Sequence, residues 1–490
     1  MNPKSFFLPA VLSAVLAVLC ILFLDAISFP WIDELSLTDT PARVACYGQW
    51  FSNVDLYQYH PLHGFLLAGW LKIFGVSHQA AVSLDVVLAL AASLVLLRLL
   101  DRRLGVQECL ERVAFVLLFW GGGVLAWTIT NGRVDMLVLL LTTLLVDEMI
   151  WGEGKGHRLR LAAWSFLQFF SAIYAAPPVV VLAILLVLLP REGTLRKQRL
   201  LDGIVVAIGY CAALFGIGLF YLRHHILFRW LHGYFRFNGT VSGDVPSFPE
   251  RIQDAYGLDL QALVLFLAAF LLLLGSGWLK GRGRWAGVLM VGAIPLLMTL
   301  AGRYTLYYAW MFHVPVIVLF VLAMSSVGRK WAQWAALAVG VAVLALHIGT
   351  NLPGWREEQV RLQRDRAFLS VHAATIDAHP VLLFMDPKCY YDLFAYEKNL
   401  YFRDKMQDAQ DPAEHFRAAL NEKVPEGKLR EVLLQFFLAH ENLTPRDLPA
   451  SALIILTSEE DYEKVAAYFA QREIPLDTLF EKDAFRLLTY

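Results

Sequence analysis

Long apolar runs follow one another along the first 350 residues of the chain and then stop. Several approach or exceed the ~18 residues that a bilayer-crossing helix requires. The pattern places spans at 6–27, 79–100, 112–130, 134–151, 161–176, 178–190, 203–222, 259–279, 285–301, 304–326 and 331–349, about eleven in all. After residue 351 the period changes. Short β-type runs (Val381–Met385, Asn399–Phe402, Ala452–Thr457, Ala484–Thr489) alternate with amphipathic helical stretches (Arg356–Ile376, Glu459–Gln471), which predicts a small α/β domain. The expected organisation is a polytopic α-helical membrane unit over 1–350 and a soluble α/β domain over 351–490. Two outer loops belong to the first unit, 28–78 and 223–258. The apolar part of the earlier loop, residues 61–75, is too short to span and reads as an interfacial helix.

Charge sorting turns the spans into a topology. Arg98/Arg102/Arg103/Arg112, Lys155/Arg158/Arg160, Arg191/Arg196/Lys197/Arg199, Lys280/Arg282/Arg284 and Arg329/Lys330 occupy alternate loops, and the positive-inside rule assigns them to the cytoplasm. Parity then makes 112–151, 161–190, 203–279 and 285–326 hairpins, with Pro177 and Pro178 at the turn of the second. The N-terminus is expected in the cytoplasm and residues after Asn351 outside it, in an inner (plasma) membrane protein. Loop 223–258 runs against the rule with Arg223, Arg229, Arg236 and Arg251 outside. Either a long loop escapes the rule or these arginines meet anionic lipid. Residues 6–24 are longer than the ~7–15-residue core of a signal peptide and lack a small-residue cleavage site, so they read as a retained helix.

Composition agrees with a membrane protein: 58% of residues are hydrophobic, 17% are charged, and the mean hydropathy is +0.52. A net charge of −1 suggests no nucleic-acid partner. The five cysteines lack metal-type spacing; Cys20 and Cys211 read as packing residues, and Cys46 and Cys389 share the outer side, where pairing is open to them.

The first outer loop concentrates the candidate chemistry. It runs Trp31-Ile32-Asp33-Glu34, Ala42-Arg43-Val44-Ala45, Asn53-Val54-Asp55, Tyr59-His60-Pro61-Leu62-His63 and Leu71-Lys72-Ile73-Phe74-Gly75. Adjacent carboxylates just beyond a membrane helix are either hydrated or used. Downstream, Arg133-Val134-Asp135 opens the fourth span, and Gly302-Arg303-Tyr304 with Tyr307, Tyr308 and Pro315 precedes and enters a proline-containing one. In this order the elements resemble the lipid-phosphate-dependent glycosyltransferases of the C-type membrane fold, above all the lipid A aminoarabinose transferases and the protein O-mannosyltransferases. The chain departs from the former in carrying His60 where they place a lysine before the proline; histidine is a pH-dependent phosphate partner.

The resemblance implies an inverting transferase that moves a sugar from a polyprenyl phosphate to an envelope lipid or glycan such as lipid A or lipopolysaccharide. It implies Asp33 as the base, with Glu34 and Asp135 as further acids, and Arg303, His60 and Arg133 on the donor phosphate. Tyr59, His63, Tyr304, Tyr307 and Tyr308 would line the substrate pocket. Plainer readings stand beside these. Arg303 can anchor a helix end by snorkelling, Asp135 can serve a helix N-terminus, and the tyrosines can form an interfacial belt. Asp85 reads as an interfacial residue. Arg133 and Asp135, two positions apart, would point to different faces of a helix rather than pair. His60 and His63 lack a third metal ligand in sequence, so no cofactor is expected; the expected partners are the donor, the acceptor and membrane lipid, with the chain acting as a monomer. A protein O-glycosyltransferase is the alternative within the class. A lipid-linked-sugar flippase is the alternative outside it, although its charges would lie within the spans rather than at their outer ends.

Overall fold

The structure is a computed structural model describing residues 3–30, 32–48, 61–188, 196–224, 260–280, 282–300, 308–384, 386–396, 399–402, 451–471, 473–482 and 484–489, with isolated positions at 227 and within 427–435. Its membrane part is built from α1 (Pro3–Leu22), α2 (Leu24–Ile27), α3 (Ile32–Tyr47), α4 (Pro61–Phe74), α5 (His78–Arg102), α6 (Cys109–Gly121), α7 (Gly123–Ile129), α8 (Asp135–Trp151), α9 (His157–Ser171), α10 (Ala176–Leu188), α11 (Arg196–Arg223), α12 (Leu260–Gly275), α13 (Arg282–Leu300), α14 (Trp310–Val327) and α15 (Lys330–Val371). Every expected span falls on one of these helices or on an adjacent pair. Among the described residues, α5, α11, α14 and α15 are each long and apolar enough to cross a bilayer, and the α6–α7 pair, bent by 64°, is a fifth candidate. The other expected spans coincide with helices whose described apolar stretches are shorter or more charged.

The lipid-facing surface accounts for the apolar excess. Along α11, Ile204, Ile208, Leu214, Phe215 and Leu219 are exposed, a stripe that water would not tolerate and a bilayer covers. Between helices the packing is close. A Cβ on Gly121 would lie 2.7 Å from Leu344 Cα, and one on Gly122 would lie 2.5 Å from His313 Nε2. The glycine triplet 121–123 therefore lets α6 meet α15 backbone to backbone and bend at His313. A polar knot joins α1, α5 and α6: Trp120 Nε1 donates to Ser13 Oγ at 2.9 Å, and Ser13 and Ser93 hydroxyls share a hydrogen bond at 2.6 Å.

Beyond the membrane part, α16 (Ala373–Ala378), β1 (Val381–Phe384), α17 (Tyr390–Phe394), β2 (Asn399–Phe402), β3 (Leu453–Leu456), α18 (Glu459–Gln471), β4 (Asp477–Lys482) and β5 (Phe485–Thr489) follow. The sheet order is β2-β1-β3-β5-β4. β2, β1 and β3 are parallel, and β5 and β4 complete the sheet as antiparallel strands. Alternation sends Leu383, Ile454, Leu456 and Leu488 towards Val465 and Phe469 of α18. Leu382, Phe384, Leu453, Ile455 and Leu487 face the other way, into one core with Leu35 and Ala42 of α3 and Leu67 and Leu71 of α4. Helices α3 and α4 are thus packed under the sheet.

Helix α15 runs through residue 350 without a break, so the expected boundary between the two units falls inside one helix. Cys46 is exposed and Cys389 buried, and the disulfide left open by the sequence is not formed. Past the apolar stretch of α15, Asp365 is 1% exposed and neither carboxylate oxygen accepts a hydrogen bond. Burial, reinforced by the nearby Asp386 carboxylate, pushes Asp365 up to about 6 despite the cations Arg361, Arg364 and Lys388. A carboxyl that holds its proton more tightly folded than unfolded favours the native state at low pH, and that advantage fades as pH rises through about 6. Asp365→Asn is therefore expected to raise the thermal midpoint relative to the parent by an amount that grows between about pH 4 and 7 and then levels off, as measured by differential scanning fluorimetry in detergent.

Candidate functional site

Buried ionisable side chains from α3, α4, α5 and the α7–α8 turn converge under the sheet. Glu34, on the first turn of α3, is fully buried. Its Oε1 meets His78 Nδ1 at 2.8 Å and accepts a hydrogen bond from the Tyr391 hydroxyl. His78 Nε2 lies 3.0 Å from Ser28 Oγ, which donates to the Thr130 carbonyl at 2.5 Å. Serine at the α2 exit and histidine at the α5 start are both local choices: Ser77 caps α5 by accepting from Ala80 N at 3.1 Å, which turns His78 inward as the first helical residue.

A second buried carboxylate, Asp39, accepts from Arg43 Nε at 3.1 Å and from the Tyr390 hydroxyl at 2.7 Å. Burial, followed by the adjacent carboxylates, pushes the Tyr390 and Tyr391 phenols well above their usual range, so both remain protonated donors.

The third, Asp135, is the first residue of α8, where the helix dipole favours an anion. It accepts from Arg133 Nε at 3.0 Å, Tyr174 hydroxyl at 2.5 Å and Trp310 Nε1 at 3.2 Å. The Arg133 guanidinium also stands over the Tyr308 ring, 5.9 Å from its centroid. The sequence argument against an Arg133–Asp135 pair is thus overturned. Arg133 precedes the helix, in the turn formed by Asn131 and Gly132, so helical phasing does not separate it from Asp135.

That turn is fitted to Glu34. Gly132 has φ +69°, and a Cβ there would lie 2.5 Å from Glu34 Cγ. The fourth carboxylate, Asp85 of α5, is 1% exposed and not interfacial as the sequence indicated. Its Oδ1 lies 3.7 Å from His63 Nε2, and it is near enough to Asp135, Glu34 and Arg133 to interact with each electrostatically. Burial pushes His63 down to about 4, so it is neutral at physiological pH.

Of the residues proposed from sequence, the structure brings together Glu34, His63, Arg133, Asp135 and Tyr308. Asp33 occupies the second position of α3, and its side chain lies outside the described residues. So do Tyr59, His60, Arg303, Tyr304, Tyr307 and the loop arginines Arg229, Arg236 and Arg251. Sequence reasoning missed His78, Asp39, Tyr174, Trp310, Tyr390 and Tyr391. Only Asp39 carried a local signal, the i, i+4 pairing with Arg43; the others act across long sequence separations. Among the described residues no group of three or more His, Cys, Asp or Glu side chains is arranged to hold a metal ion.

Behind the cluster lies a groove of about 880 Å³ between α1, α2, α6, α7, α12 and α15. Leu16, Cys20, Leu344 and Ile348 line its apolar depth; Asn351, Trp355, Arg356 and Gln359 line its outer end. Ile27 and Thr130 form part of the wall, one residue and one hydrogen bond from Ser28. Arg356 is exposed, and among the described residues it makes no hydrogen bond or ion pair.

Fold and site together define a polytopic membrane protein with its buried ionisable groups gathered beneath an α/β sheet. A full-length structural counterpart exists. The crystal structure of ArnT from Cupriavidus metallidurans bound to undecaprenyl phosphate matches 100% of this chain and 98% of its own, with a TM-score of 0.58 and 14% sequence identity. The likeness to the C-type membrane glycosyltransferases is therefore a likeness of the whole fold. No family model and no curated protein matches the chain.

Gly132 offers a direct probe of the cluster. In Gly132→Ala the added methyl group meets Glu34 and a left-handed backbone that disfavours it by ~1–2 kcal/mol. The expected result is a thermal midpoint several degrees lower, whereas Gly154→Ala, also at positive φ but with open space around it, loses only the backbone contribution.

Proposed function

We propose that this protein is an inverting glycosyltransferase that uses a polyprenyl-phosphate sugar at the outer face of the inner membrane. The observation that carries the reading is the convergence of Glu34, His78, Arg133 and Asp135 beside an apolar groove. It is supported by the full-length likeness to a structure bound to undecaprenyl phosphate. In this reading the N-terminus is cytoplasmic, residues 351–490 are periplasmic, and the acceptor is an envelope lipid or glycan of the lipid A type.

The chemistry follows from the donor. An acceptor hydroxyl oxygen attacks the anomeric carbon and its proton passes to a carboxylate, for which Asp33 is the candidate. The bond from the anomeric carbon to the phosphate oxygen breaks, both electrons leave with that oxygen, and polyprenyl phosphate departs. Attack and departure on opposite faces invert the anomeric centre. Growing phosphate charge requires cations already in place. Arg133, held by Asp135 and stacked over Tyr308, and Arg303 are the proposed pair, with His60 as a further candidate. Asp135 then acts by orienting Arg133, and Glu34 by holding the helix that carries Asp33. The groove suits a long isoprenoid chain: apolar in its depth, it ends at a cation without a partner among the described residues.

Two measurements test this reading. Asp33→Asn should insert and fold normally yet lose transfer by a factor of ~10² or more, with acceptor products read by mass spectrometry. A flippase would instead move donor across vesicles without a new glycosidic bond. Arg356→Ala should raise the KM for a polyprenyl-phosphate donor several-fold while leaving kcat near that of the parent, since its role is in binding the donor chain's outer end; an unchanged KM removes the groove from the donor path.

A further inference from the structure

Two adjacent tyrosines tie the sheet region to the helix that carries Asp33. Tyr390 and Tyr391 open α17, some 350 residues downstream of α3, and both are buried. The Tyr391 hydroxyl donates to Glu34, and the Tyr390 hydroxyl donates to Asp39 at 2.7 Å. Their acceptors are five positions apart on α3, which at 100° per residue separates them by about 140° around the helix and about 7.5 Å along it. One such bond would leave α3 free to roll about it. Two bonds at different azimuths and heights fix both its rotation and its axial position.

The clasp is itself braced. Asp386, just before the tyrosines, accepts from Arg361 of α15 at 3.0 Å, from Thr457 at 3.3 Å and from the Lys388 amide at 2.9 Å. Lys388 pairs with Glu358, and Arg366 pairs with Asp392 at 3.2 Å. A line of polar contacts therefore runs from α15 through residues 386–392 to α3. Asp33 stands one position before Glu34 on that helix, so any roll of α3 moves it.

We propose that Tyr390 and Tyr391 are positioning residues that hold α3, and with it Asp33, in the register needed for proton abstraction. The sheet is in this sense part of the transfer site although it contributes no group to the reaction. The inference rests on the glycosyl-transfer reading for its rate effect, but not for its structural effect.

Phenylalanine is the informative replacement, because it deletes the hydroxyl and keeps the packed ring. Tyr391→Phe, and more so the Tyr390→Phe/Tyr391→Phe double variant, should lower kcat by about tenfold to a hundredfold. The donor KM should stay within about twofold, and backbone amides of residues 32–47 should exchange hydrogen faster. Tyr396→Phe, on the same segment, should leave both readouts unchanged. The proposal is overturned if the double variant keeps kcat within twofold of the parent, or if the Tyr396 control falls equally. If the parent itself transfers no sugar from a panel of polyprenyl-phosphate donors, the functional reading fails. Exchange across 32–47 then decides the clasp alone, and unchanged exchange in the double variant overturns it.

Discussion

A carboxylate withdrawn from water must be given donors or cations, or it destabilises whatever encloses it. Glu34, Asp39 and Asp135 are all withdrawn in this chain, within one region at the sheet-facing end of the helices. Their partners come from remote places: His78 from the start of α5, Arg133 from the turn before α8, Tyr174 from the break after α9, Trp310 from the start of α14, and Tyr390 and Tyr391 from the sheet region. Meeting those demands fixes how the pieces assemble. The membrane helices, the outer loop and the sheet cannot be placed independently while the same few carboxylates bind all three.

The same constraint shapes what the region can do. Groups already bonded and dry do not need to reorganise when charge moves nearby, which is the condition under which fixed dipoles stabilise a reacting centre. The groove adds what a soluble site lacks, an apolar path within the membrane part whose wall includes Thr130, the acceptor of the Ser28 hydroxyl. A substrate with a long hydrocarbon tail and a polar reacting end matches those two environments in the order in which the chain presents them.

Much of this was legible in the sequence because the physics involved is local. Apolar run lengths located the helices, and alternation located β1, β2, β3 and β5. Strand β4 was missed because an exposed edge strand reading Asp-Thr-Leu-Phe-Glu-Lys offers no buried alternation. The failures share a cause. Arg133 and Asp135 were phased as though on one helix, whereas the helix begins only at Asp135. Asp85 was assigned to the interface because nothing in its neighbourhood of sequence shows that His63 and the α7–α8 turn cover it. Tyr390 and Tyr391 looked like ordinary aromatic residues of a small domain; their acceptors lie at the other end of the chain.

Helix α15 joins the two settings in a single rod. At 1.5 Å per residue its 42 residues extend about 63 Å; one portion lines the groove and the next braces the segment that carries the tyrosines. Pro353 sits inside the helix within the groove-lining portion, flanked by Leu352 and Trp355, where it removes a backbone hydrogen bond and makes the rod easier to bend. The proline of α15 therefore coincides with the mouth of the groove. Whatever fills that mouth lies against the same helix whose next turns carry Arg361 and Arg366, the braces of the segment that bears the tyrosines.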